Sequence, residues 1–115
     1  MEVTLRALPK DHKGELQAGD IYYAEYLKDW YICLPIPIED QNQYRKFVEF
    51  ALNTVASNGC PHNNRERHRC WTITGDKELE GGDASKLTLM PSILLTYDPE
   101  KTIHGFVTNG KWKSC

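Results

Sequence analysis

The sequence predicts an α+β domain: a mostly antiparallel β-sheet, one amphipathic helix covering a face of it, and a C-terminal β-hairpin. Three observations carry this expectation. Asn109-Gly110 stands between two β-prone runs, and a type I′ turn needs positive φ at both central residues, which Asn and Gly accept. Trp30, Ile32, Leu34 and Ile36 fall at every second position, the period of a strand with one apolar face. Tyr44, Phe47, Val48, Ala51 and Val55 fall at i, i+3, i+4, i+7 and i+11, a single stripe on a helix.

Taken in order, residues 2–8 read as a short strand, and residues 9–20 as a polar loop carrying Gly14 and Gly19. Residues 21–27 and 30–36 are aromatic and β-branched runs split by Lys28-Asp29, which predicts a hairpin. Pro35 and Pro37 have no amide to donate, so this strand ends there or lies at an edge. The helix is expected over residues 40–57, with Asp40 and Gln43 as a capping box and Asn58-Gly59 as its stop. Residues 59–69 form a polar loop, residues 71–74 a strand, and Gly75-Asp76 a turn into an acidic loop ending at Asp83. Over residues 86–95, Leu87, Leu89, Ile93 and Leu95 share one face, with Pro91 interrupting. Tyr97-Asp98-Pro99-Glu100 turns into the last hairpin, and no repeat or boundary divides residues 1–115.

At 115 residues the chain has room for one domain with a modest core. Its 14 basic and 16 acidic side chains give no electrostatic reason to expect nucleic acid or an anionic membrane as partner. No apolar run approaches the roughly 20 residues that span a bilayer. The first residues lack a basic stretch followed by an apolar one, so no secretory signal is expected and the cytoplasm is the default compartment. Reduced thiols or metal ligands are therefore expected of Cys33, Cys60, Cys70 and Cys115, rather than two disulfides. Cys33, inside an apolar run, reads as a buried inert thiol.

If Asn109 and Gly110 are the two loop residues, Thr108 faces Lys111, Val107 faces Trp112 and His104 faces Cys115. Directly opposed residues share a sheet face with Cβ atoms about 4.5–5.5 Å apart, so the hairpin would bring an imidazole and a thiol together. Zn²⁺ takes about four such ligands in a tetrahedron. Cys60, His62, His104 and Cys115 make a Cys₂His₂ set, and His68 with Cys70 is a competing pair. The bland alternative is a set of solvated histidines and unpaired thiols. Cys/His nucleophilic catalysis, with His104 as base for Cys115 or Cys60, lacks a third orienting group. Zinc hydrolysis would recruit Asp76 or Glu100 beside an open ligand position. The acidic loop ending at Asp83 lacks the alternating ligands of a Ca²⁺ loop and reads as solvated.

Trp71-Thr72-x-x-Gly75-Asp76, Leu87-Thr88-x-x-Pro91-Ser92-Ile93-Leu94, and His104-Gly105-Phe106-Val107-x-x-Gly110 with Cys115 form a further pattern. It resembles an uncharacterised family of small phage and bacterial zinc-knuckle-like proteins. Some members carry the label ammonia monooxygenase, and relatives sit in bacterial ubiquitin-like operons. The resemblance covers about residues 60–115 and implies a small β-rich domain bearing zinc, with Cys60, His104 and Cys115 at ligand positions. Two departures stand out: the Cys of that pattern three residues before the hairpin His is Lys101 here, and the knuckle is reduced to Cys60-Pro61-His62. The combined expectation is a phage- or prophage-type accessory protein that binds a protein partner and carries structural zinc. Such a protein would work in the host cytoplasm. Two other classes stand beside it: a zinc- or Cys/His-dependent hydrolase, and an inhibitor of a host defence or replication enzyme.

Overall fold

Alternating apolar residues govern the described residues more completely than the helical stripe suggests, and in the computed structural model strands are their main regular structure. The structure describes residues 1–52 and 72–115. Nine strands are assigned among them: β1 (Glu2–Thr4), β2 (Arg6–Ala7), β3 (Asp20–Ala24), β4 (Asp29–Pro35), β5 (Phe47–Ala51), β6 (Thr72–Thr74), β7 (Thr88–Asp98), β8 (Lys101–Thr108) and β9 (Lys111–Ser114). They form a five-stranded sheet in the order β1-β9-β8-β7-β6 and a four-stranded sheet in the order β2-β3-β4-β5. Every pairing is antiparallel except β2 with β3. The N-terminal run changes sheets at Leu5, whose N–H donates to the Gly110 carbonyl at 2.8 Å.

The inner faces of the two sheets share one core. Ile21, Ile32, Leu34 and Phe50 come from the four-stranded sheet, and Leu89, Ile93, Val107 and Trp112 from the five-stranded one; all are at most 2% exposed. Burying each such side chain is worth about 1.5–3 kcal/mol, whereas an exposed ion pair such as Lys10–Glu80 is screened by solvent and adds little. Apolar packing between the sheets, not surface charge, therefore holds the fold. A polar clip adds direction to it. The Asp40 carboxylate accepts from the Tyr97 hydroxyl (2.5 Å) and from Lys101 Nζ (2.6 Å), and Arg45 Nη1 donates to the Tyr97 carbonyl. These bonds tie the segment after β4 to the β7–β8 turn of the opposite sheet.

The expected α+β class is corrected: the described residues are mostly β, and no helix reaches seven residues. Residues 53–57 of the expected amphipathic helix over 40–57, with Val55 and the Asn58-Gly59 stop, lie outside the described residues, and the described part of the stripe supplies β5 instead. Val48 pairs with Leu34 and Phe50 with Ile32 on β4, so the second-residue alternation prevails over the helical spacing. Local chemistry opposes the helix as well. Asn42 Oδ1 accepts from the amides of Tyr44 and Arg45, a turn that competes with a helix start. Tyr44, the first residue of the supposed stripe, is 89% exposed. Asp40 caps nothing; it ends a one-turn 3₁₀ segment, Ile38–Asp40, and holds the inter-sheet clip.

Smaller expectations fare differently. β4 does end at Pro35, although it lies between β3 and β5 rather than at an edge. The strand over residues 2–8 splits into β1 and β2. The acidic loop contains a 3₁₀ turn, Lys77–Gly81, whose Leu79 is fully buried. On β7 the register against β8 shifts between Leu89 and Ile93, the stretch in which Pro91 interrupts the alternation.

Candidate functional site

The C-terminal hairpin organises the candidate site. Asn109 (φ 47°) and Gly110 (φ 74°) form the tight turn, and Gly110 is required there twice over, since a Cβ would lie 2.4 Å from the Ala84 carbonyl oxygen. The register is the one this turn dictates: Thr108 opposes Lys111, Val107 opposes Trp112 and Gly105 opposes Ser114. One step further, the Cys115 N–H donates to the His104 carbonyl at 2.8 Å. Along β8, Ile103, Gly105 and Val107 point into the core while Thr102, His104, Phe106 and Thr108 point out. His104 and Cys115 therefore stand at the open end of the hairpin, both exposed.

The imidazole is oriented. Its Nε2 lies 2.9 Å from Ser92 Oγ on β7, and its ring centroid is 6.3 Å from that of Phe106, tilted by 34°. On the same outward face Met90, Leu94 and Phe106 are 63%, 58% and 47% exposed, with Leu94 directly opposite His104. Lys111 and Lys113 share that face, because they oppose Thr108 and Phe106. Behind the hairpin end, between the sheets, lies a cleft of about 420 Å³ whose walls include Pro35, Ile38, Ile103 and Trp112.

Of the sequence-derived ligand set, His104 and Cys115 are thus brought to one place. Cys60 and His62, with the competing His68 and Cys70, lie outside the described residues. Among the described residues no group of three or more His, Cys, Asp or Glu side chains could hold a metal ion. An imidazole and a thiol fit two of the four places of a structural zinc. With Nε2 engaged by Ser92, Nδ1 is the nitrogen left to ligate, and Ser92 occupies the supporting position that metal-bound histidines usually have filled. Asp76 precedes the 3₁₀ turn at Lys77–Gly81 and Glu100 sits in the β7–β8 turn; neither bonds to His104. Cys33 is fully buried. Burial above all, with the negative charges of Glu49 and Asp20 nearby, pushes its thiol up to about 12, so it is no nucleophile at neutral pH.

Sequence reasoning missed the outward patch and the cleft. The patch had a signal: placing Val107 and Ile103 inward leaves Phe106 outward on β8. The cleft had none, because its walls come from strands of both sheets.

No protein-family model, curated protein or solved structure matches this chain. No helix among the described residues is long and apolar enough to cross a membrane.

Proposed function

We propose that the chain is a protein-binding module rather than an enzyme. It engages its partner through the outer face of the five-stranded sheet and carries a structural zinc held by Cys60, His62, His104 and Cys115. The observation that supports this is the patch of Met90, Leu94 and Phe106 around His104. Single exposed apolar residues are ordinary, but three together on adjacent strands mark a contact surface. Lys113 faces Glu2 across β1, whereas Lys111 faces Thr4. Lys111 is thus the charge available to a partner, and a fitting partner presents an apolar anchor beside a carboxylate.

The zinc would act as a staple, adding folding free energy because only the folded chain assembles its ligands. The motif pattern of residues 71–76, 87–94 and 104–110 with Cys115 supports an accessory role of the phage or prophage type, in the cytoplasm of a bacterial host.

Two measurements test this reading. Purified protein should hold about one zinc per chain, lost in His104→Ala and Cys115→Ser, and chelation should lower the melting temperature. Phe106→Lys and Leu94→Lys should keep the wild-type circular dichroism while abolishing partner capture from bacterial lysate. Metal-free protein whose melting ignores chelators ends the staple; unchanged capture by both lysine variants ends the interface.

A further inference from the structure

The geometry points to a latched lid: the strap of residues 37–46 closes one side of the cleft and swings open while both sheets stay folded, with the Asp40 clip as its latch. The strap leaves β4 and returns as β5. Its root is firm, because Ile36 is fully buried and its N–H donates to the Lys46 carbonyl at 3.3 Å. Beyond that root no residue of the strap is buried, and Ile38 and Tyr44 are 73% and 89% exposed. A segment that buries few apolar side chains opens at a far smaller cost than the core strands behind it.

Internal bonds let the strap move as one piece. The amides of Asp40 and Gln41 donate to the carbonyls of Pro37 and Ile38, Gln41 Nε2 reaches back to the Ile36 carbonyl at 2.9 Å, and Asn42 and Arg45 exchange backbone bonds. Among the described residues its hydrogen bonds to the opposite sheet are those of Asp40 with Tyr97 and Lys101 and of Arg45 with the Tyr97 carbonyl. The Lys101 side chain is 50% exposed, so water competes for this latch. Pro37, Ile38 and Glu39 line the cleft together with Ile103 and Trp112 of the five-stranded sheet. Releasing Asp40 therefore moves a wall of the cleft, and the movement opens a path for water to the Trp112 ring, which is 1% exposed with the latch closed.

The test is hydrogen exchange of the full chain, followed by NMR at the Trp112 indole proton and at the Val107 amide, in water and at rising urea below the unfolding transition. Opening the lid exposes little surface, so indole exchange should depend only weakly on urea, whereas Val107 should show the steep dependence of global unfolding. Asp40→Asn should speed indole exchange about ten-fold, the low end for a hydrogen bond to a charged group, and adding Arg45→Ala should speed it further. In both variants Val107 exchange should change only by the amount their urea midpoints require. The inference is overturned by an indole that already exchanges freely in wild-type protein, by one that tracks Val107 in urea, or by variants that speed both protons alike or leave the indole rate unchanged.

Discussion

Gly105 is a position where a single methyl group would meet backbone and ring together, because the hairpin closes over it. A Cβ there would lie 2.5 Å from the Lys113 carbonyl oxygen and 2.7 Å from both Cζ2 and Cη2 of Trp112. Neither neighbour has room to withdraw. Lys113 is held in register by Phe106 on one side and Glu2 on the other, and the Trp112 ring is 1% exposed. Overpacking of this kind costs about 1–3 kcal/mol. Alanine returns roughly 0.4–1 kcal/mol by restricting the unfolded chain, so Gly105→Ala should lose about 1–2 kcal/mol. At this size that corresponds to a fall in melting temperature of roughly 4–8 °C. Urea unfolding followed by far-ultraviolet circular dichroism should show a lower midpoint at unchanged slope. Trp112→Phe removes the ring contact but not the backbone one. The double variant should therefore be less destabilised than the sum of the singles, by about 0.5–1 kcal/mol. A Gly105→Ala protein with the wild-type midpoint would refute the packing argument.

Other expectations follow from the same contacts. Phe50→Ala should cost about 3–5 kcal/mol as a buried strand residue, whereas Tyr44→Ala should fall within about 0.5 kcal/mol of wild type; comparable losses in chemical denaturation would restore a helix over this stretch. The hydrogen bonds from Lys101 and then Tyr97 hold the Asp40 carboxyl below its usual range. A depressed folded value means its stabilisation is complete above about pH 4 and fades as the solution is made more acid, so Asp40→Asn should flatten the acid limb of a stability–pH curve. Tyr97 is displaced the other way, up to about 12, chiefly by donating to Asp40. Its contribution is therefore whole below about pH 10 and is lost between there and pH 12, a decline that Tyr97→Phe should remove. In chelator-treated, folded protein iodoacetamide should modify exposed Cys115 and spare Cys33, as peptide mass mapping can check; equal rates would mean that the four-stranded sheet opens readily.

Some of this protein was written in local chemistry. Asn109-Gly110 admits few alternatives to a type I′ turn, and once that turn forms the register of β8 and β9 follows residue by residue, down to the approach of His104 and Cys115. The face of β4 was legible for a similar reason, since Trp30, Ile32, Leu34 and Ile36 repeat with a period only a strand can use. The described part of the expected helix, residues 40–52, was not legible, because Phe47, Val48, Phe50, Ala51 and Leu52 satisfy both periods over so short a stretch. The choice was made by β4, whose edge offered hydrogen bonds and whose Ile32 and Leu34 offered contacts that an isolated helix lacks. The cleft likewise exists only after folding, because its walls are far apart along the chain, and so does the clip in which Asp40 meets Tyr97 and Lys101.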